Sequence, residues 1–211
     1  MSERISKHPY FTRRTQGGVI RKVVLRETAP FVKTDGFYLE FGVYQGFTIN
    51  YIARLFPTKK IYGFDSWQGL PEDWKHNNKN VVKGSYSTEG IIPAVPSNVE
   101  LISGLFEDTL PEFIKNHPDT KTAFVHIDSD LYSSAKTIFK NFGHTFVNGT
   151  VIVFDEYMQD AGEKQAFEEW LEESGLFAAM IRSTEEQASF IIFDQESGVP
   201  YPLPHGWSIE P

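Results

Sequence analysis

The stretch FYLEFGVYQG, Phe37 to Gly46, decides the fold. An apolar run broken by a single acid, with no alternation, is the pattern of a strand buried on both faces. Two glycines follow, and directly after them Ile49, Ile52, Ala53 and Phe56 fall at i, i+3, i+4 and i+7, one apolar helical face. A strand, a glycine turn and a helix in that order open a parallel sheet with crossover helices.

Working outward, the same rhythm repeats. Strands are expected at Lys60 to Asp65 (KIYGFD), Asn98 to Gly104, Thr122 to Asp128 (TAFVHID) and Gly149 to Asp155 (GTVIVFD). Ala135, Ile138, Phe139 and Phe142 give a second amphipathic helix, and 160–173 a charged one. Thr109 with Glu112 reads as a capping box opening a short helix that runs to Asn116. The last two strand-like runs, LFAAMIR and ASFIIFD, are separated only by Ser183 to Gln187, too short for a crossover, so they are expected to pair as an antiparallel hairpin. The expected fold class is therefore α/β, a mostly parallel sheet with helices on both faces and a C-terminal antiparallel hairpin. The polar and aromatic excursion after Asp65 is too long for an ordinary loop, and its Trp67, Trp74 and Tyr86 suit either a water-excluding lid or plain packing.

Composition narrows the function. With 211 residues, 40% of them hydrophobic, the chain carries one substantial core. A net charge of -8 argues against nucleic acid or anionic membrane as partner. No cysteine is present, which excludes disulfides, thiolate metal sites and cysteine nucleophiles. No apolar run approaches the ~20 residues of a membrane span, and the first residues lack the apolar stretch of a signal peptide, so a cytoplasmic protein is expected. Residues 1–33 hold eight Lys or Arg against two acids. Hence 1–35 reads as a basic arm or helix, 36–195 as the functional domain and 196–211, with its prolines, as an extended tail.

Three groups of residues carry chemistry. Glu40, Gly42 and Gly46 surround the first turn, a GxxxG rather than the dinucleotide GxGxxG. Asp65 ends the second strand 19 residues after Gly46, where a carboxylate accepts ribose hydroxyls or, in the competing reading, caps a turn. Asp128-Ser129-Asp130 and Asp155-Glu156 end two further strands, close enough to crowd one rim unless a cation or proton intervenes. An all-oxygen set suits Mg²⁺ or Ca²⁺, whereas the competing reading has one acid of each pair capping the next helix. His126, two residues before Asp128, reads as a core histidine rather than a second base.

Five blocks, LEFGVYQGFTINYIA, YGFDSWQGLPEDW, ELISGLFEDTLPEF, HIDSDLYSSAKTIF and GTVIVFDEY, resemble in that order the macrocin O-methyltransferase (TylF-like) family of class I S-adenosylmethionine-dependent methyltransferases. The resemblance runs from about Gly36 to Tyr157. It implies a seven-stranded Rossmann-like sheet, S-adenosylmethionine as donor, Mg²⁺ or another divalent cation, and a small-molecule hydroxyl, that of a sugar or glycosylated metabolite, as acceptor. Carried over residue by residue, it puts the donor's methionine end near Glu40, Phe41, Gly42 and Gly46, and its ribose on Asp65. Ser66, Trp67, Gly104, Leu105 and Phe106 would surround the adenine. Asp128 would be metal ligand and general base, with Asp155 and Glu156 as further ligands; Glu156 stands where the family has Asp, one methylene shorter. A homo-oligomer is the partner the family suggests. The rival classes are an NAD-linked oxidoreductase, disfavoured by the missing GxGxxG, and a non-catalytic cofactor-binding protein.

Overall fold

The structure, a computed structural model, describes residues 4–6, 18–76, 79–159 and 161–198. In chain order its elements are β1 (Ile5–Ser6), α1 (Gly18–Thr28), β2 (Phe37–Phe41), α2 (Phe47–Leu55), β3 (Ile61–Asp65), β4 (Trp74–His76), β5 (Lys79–Val81), β6 (Val99–Ser103), α3 (Phe106–Asn116), β7 (Thr122–Ile127), α4 (Tyr132–Phe142), β8 (Phe146–Phe154), α5 (Ala161–Ser174), β9 (Phe177–Ser183) and β10 (Ala188–Phe193). The main sheet has the order β1-β9-β10-β8-β7-β2-β3-β6. β10 runs antiparallel to both its neighbours, and the other pairs are parallel.

The seven expected strands are present, and the C-terminal pair is antiparallel as the short connection required. β10 inserts between β8 and β9 rather than closing the edge. An eighth, two-residue strand, β1, lies outside β9, and Arg4 fastens it there with Nε on Glu172 Oε2 at 3.1 Å and Nη1 on the Gly175 carbonyl at 2.9 Å. The described part of the basic arm thus docks on this chain's own sheet; residues 7–17 and the tail from residue 199 lie outside the described residues.

Two apolar layers sandwich the sheet. One is built under α3, α4 and α5 from Phe41, Phe64, Phe139, Phe142, Phe154 and Phe167 among others, the second under α1 and α2 from Leu25, Tyr38, Ile49, Ile52 and Phe124. The helical spacing read in the sequence is the reason: Ile49, Ile52 and Ala53 of α2, and Ala135, Ile138, Phe139 and Phe142 of α4, are all buried. α2 stops at Leu55 because Phe56 precedes Pro57 and is pushed out of the helical region, to φ -125° and ψ 62°.

Three local expectations change. Thr109 does not open α3, which begins at Phe106; its hydroxyl instead donates to the Leu105 carbonyl at 2.9 Å. Pro111, a residue that favours a first turn, lies in the second and misdirects the reading. β8 starts at Phe146, ahead of Gly149, because that glycine's φ of +94° forms a bulge across which the register jumps from Thr122↔Phe146 to Phe124↔Val151. The excursion after Asp65 holds a small hairpin, β4 against β5, packed through Leu70 and Trp74 on Leu131. It is folded tightly at Gly69, where a Cβ would sit 2.3 Å from the Ser85 carbonyl oxygen at φ +81°.

Candidate functional site

The chain leaves β2 toward β3 and β6 on one side, then returns to β7 on the other, so the carboxyl ends of β2 and β7 form a switch point. Open sheets bind ligands in the crevice outside such ends. Here the tips are drawn together by backbone. Asp128 N–H donates to the Phe41 carbonyl at 2.9 Å, and Gly42 N–H to the Phe64 carbonyl at 3.0 Å. A Cβ on Gly42 would lie 1.7 Å from the Asp128 carbonyl oxygen, so this position is glycine because another strand end occupies the space of a side chain.

Over these tips opens a cavity of about 620 Å³, within the range of small-molecule sites. Gly42, Asp65, Ser66, Gly104, Leu105 and Phe106 line one end and Asp128, Asp130 and Glu156 the other, with Tyr44, Trp74 and Tyr86 from the turn and the excursion. Seven carboxylates line it (Asp65, Glu72, Glu107, Asp128, Asp130, Glu156, Glu186) and, among the described residues, no Lys, Arg or His. Such a lining repels anions and draws in cations.

At the first end Asp65 is already held. Its Oδ2 accepts the backbone N–H groups of Val43 and Tyr44 at 2.8 and 2.7 Å, and its Oδ1 that of Trp67 at 2.7 Å. With two donors on Oδ2, the acceptor capacity left for a ligand hydroxyl is on Oδ1. One carboxylate therefore shapes the glycine turn and the start of the excursion together.

Five of the residues singled out in the sequence are placed outside the lining. Trp67 is a correction: its side chain is buried in the core, at φ +54°, and its indole N–H donates to the Tyr44 carbonyl at 3.0 Å. Phe41 is fully buried among Phe64, Phe106 and Phe142. Glu40 is fully buried as well, and Gly46 caps α2 beside Pro93. Asp155, buried behind the rim, is held at Oδ1 by the Gln187 side-chain amide.

The acidic end has two overlapping donor triads. One comprises His126, Asp128 and Asp155, the other Asp128, Asp130 and Glu156, each with ligand atoms within 4.8 Å of one another. Asp155 and Glu156, read as a pair in the sequence, belong to different triads because successive residues at a strand end point apart. The helix-capping alternative does not hold for α4: Leu131 is its N-cap and no side chain caps it. Asp130 instead sits at φ +61°, a left-handed conformation that aspartate adopts more readily than most residues.

Burial and crowding govern the charges. Burial, then repulsion from Asp155, Asp128, Glu163 and Asp130, pushes Glu156 well above the usual carboxylate range. Burial raises Glu40, against the lowering effect of His126. For His126, burial works downward, but the Glu40 hydrogen bond and the charges of Glu40, Asp128 and Asp155 prevail and hold the imidazole above its ordinary value.

Glu163 of α5 was not anticipated. It is fully buried, its Oε1 accepts the Ser129 N–H at 2.9 Å, and burial raises it to about 8. The signal was present: Glu163 stands at i to Ala166, Phe167 and Trp170 at i+3, i+4 and i+7, an acid on the apolar face of its helix. It ties α5 to the loop that carries the acidic rim.

Strand order, glycine turn and cavity together define the class I methyltransferase fold. The methyltransferase-domain family model (Methyltransf_24) matches residues 39–157, more than half of the chain, and the chain belongs to that family. The solved structure of the O-methyltransferase NovP is similar at 19% identity and a TM-score of 0.64, covering 82% of this chain and 80% of that one. The calicheamicin methyltransferase CalS11, at 20% identity and a TM-score of 0.63, covers 82% and 77%. TomG, an O-methyltransferase of Streptomyces achromogenes involved in tomaymycin synthesis, solved with S-adenosylmethionine, is similar at 16% identity and a TM-score of 0.50, over 84% and 81%. No curated protein sequence is similar enough to count as a relative. No described helix is long and apolar enough to cross a membrane.

Proposed function

We propose that this chain transfers a methyl group from S-adenosylmethionine to a hydroxyl of a small molecule, a sugar or glycosylated metabolite, with a divalent cation assisting. The observation that carries the reading is one cavity joining Asp65 and the Gly104–Phe106 turn to the Asp128 rim. Donor and acceptor in such a crevice meet without crossing bulk water. The carboxylate-rich lining suits a donor that bears a sulfonium and an ammonium group.

Transfer forms a carbon–oxygen bond as the sulfur–methyl bond breaks, and the acceptor hydroxyl must lose its proton. Asp128, in the lining and shared by both triads, is the group assigned to take it. Asp65 holds a ribose hydroxyl while it keeps the glycine turn in shape. Tyr44 and Tyr86, in edge-to-face contact at 6.0 Å, form an exposed aromatic rim on which a sugar or base face can pack. Asp128, which both triads share, would hold the cation together with Asp155 on one side or Glu156 on the other, and the buried polar cluster behind them fits such a group. When bound, a divalent cation polarises hydroxyl oxygens and eases their deprotonation.

Calorimetry with S-adenosylhomocysteine and with NAD tests the donor: binding of the first and not the second is expected, and the reverse would return the oxidoreductase reading. Incubation with isotopically methyl-labelled donor and a panel of free and glycosylated sugars tests the reaction. Donor binding without label transfer to any hydroxylated acceptor would leave a non-catalytic binding protein.

A further inference from the structure

Behind the acidic rim lies a polar pair to which the methyl-transfer reading gives no task. Glu40 of β2 and His126 of β7 are register partners, both fully buried, with His126 Nδ1 2.9 Å from Glu40 Oε1. His126 Nε2 and Glu40 Oε2 have no hydrogen-bond partner among the described residues. Leaving such buried atoms unmet is costly, so a fold that keeps them there calls for an occupant.

The surroundings say which kind. An imidazole nitrogen of His126 and carboxylate oxygens of Asp128 and Asp155 lie within 4.8 Å of one another. Donors bound at about 2.1 Å to one cation stand about 3.0–3.4 Å apart at neighbouring positions and about 4.2 Å apart only when opposite, so the triad closes on an ion when its atoms draw together by up to roughly an ångström or two. A histidine whose first nitrogen is engaged by a carboxylate while the second is left over has the arrangement of a metal-ligating histidine with its orienting partner. Gln187, itself buried, holds Asp155 from the other side.

We propose that His126 Nε2, with Asp128 and Asp155, ligates a first-row transition cation of the Mn²⁺, Fe²⁺ or Co²⁺ kind, and that Glu40 positions the imidazole from behind. The mixed nitrogen and oxygen set then replaces the oxygen-only cage, and imidazole moves the preference away from Mg²⁺. The assignment deepens the proposed function by naming its cation, but binding itself does not require that reaction.

The test uses the full chain, stripped by chelator and loaded with Mn²⁺, by pulsed electron paramagnetic resonance. One bound Mn²⁺ coupled to ¹⁴N is expected, held at least about tenfold more tightly than Mg²⁺. His126→Gln should abolish the coupling, Glu40→Gln should weaken binding by about 10–100-fold, and Glu156→Gln should leave the coupling in place. Should His126→Gln fail to fold, wild-type protein labelled with ¹⁵N-histidine must convert the ¹⁴N signal to ¹⁵N. Mn²⁺ bound without nitrogen coupling, a signal insensitive to the histidine label, or no binding at all would overturn the assignment. Coupling-free binding lost only in Glu156→Gln would place the ion in the Asp128–Asp130–Glu156 set instead. Calorimetry with S-adenosylhomocysteine on the same preparation separates this result from the donor reading: donor binding with no nitrogen-ligated cation removes only the metal assignment.

Discussion

The two ends of the cavity are built on opposite principles. At the β2 and β3 tips Asp65 is satisfied by three backbone N–H groups, so the turn is formed and its charge compensated with no ligand present. At the β7 and β8 tips burial, together with the neighbouring charges of Asp128, Asp130 and Asp155, pushes Glu156 and the buried Glu163 above the usual carboxylate range, with His126 and Glu40 keeping unmet atoms behind them. The first end is pre-organised. The second gathers several carboxylates at one rim, where a proton or a cation lowers their mutual repulsion. Recognition of a large donor benefits from the first arrangement, since no ordering remains to be done on binding. Proton removal beside a cation benefits from the second.

The contrast breaks or sharpens most through Asp128. Replacing it by Asn should lower kcat by about 10² to 10⁴-fold at saturating cation while donor affinity, read by calorimetry, changes only a few-fold. Unchanged turnover would remove the proposed base. The reciprocal experiment is Asp65→Ala, which strips charge-assisted bonds from three amides and should weaken S-adenosylhomocysteine by about 10 to 100-fold, leaving Mn²⁺ binding intact. Loss of cation affinity in that variant would show that the two ends are coupled.

A smaller effect comes from acceptor charge. A sugar should be methylated about tenfold or more better in its uncharged form than as its phosphate, because seven carboxylates line the cavity. Equal rates would mean that cationic residues outside the described ones reach the acceptor.

Stability gives a further measure of the second end. Glu163, raised from the ordinary 4.5 to about 8, stabilises the folded state while protonated; that contribution is full below pH 4.5 and is lost as the pH rises toward 8. Thermal melts of the metal-free protein should therefore fall from pH 5 to pH 8, and Glu163→Gln should flatten that fall. The smallest change is expected at a surface triad, where Lys136 Nζ bonds Glu169 and Glu173 at 2.8 and 3.0 Å across α4 and α5. Lys136→Ala should shift Tm by under about 3 °C and be masked by salt.

The asymmetry also explains what could be read in advance. Apolar runs and helical spacing identified β2, β3, β6, β7 and β8 with α2 and α4, because each element's buried face repeats at its own period. Asp65, Asp128 and Glu156 come to line one cavity because strand ends in such a sheet point into one crevice. Trp67 was assigned to the ligand when it belongs to the core, since a tryptophan in a polar excursion looks exposed until its indole is seen to meet the Tyr44 carbonyl. The β4–β5 hairpin and the two-residue β1 are too short to carry a periodic signal.

The amino-acid sequence by itself determined the α/β order, the glycine turn and the strand ends on which acids would gather, because these follow from contacts between residues two to seven apart. Only the tertiary structure decided which atoms share a partner. Residues 40, 126 and 155 meet through strand register, Asp155 and Glu156 part to separate triads, and Glu163 comes in from a helix after the last parallel crossover. Charge compensation in a buried site depends on distances of a few ångströms between distant segments, and no local pattern in the chain encodes those distances.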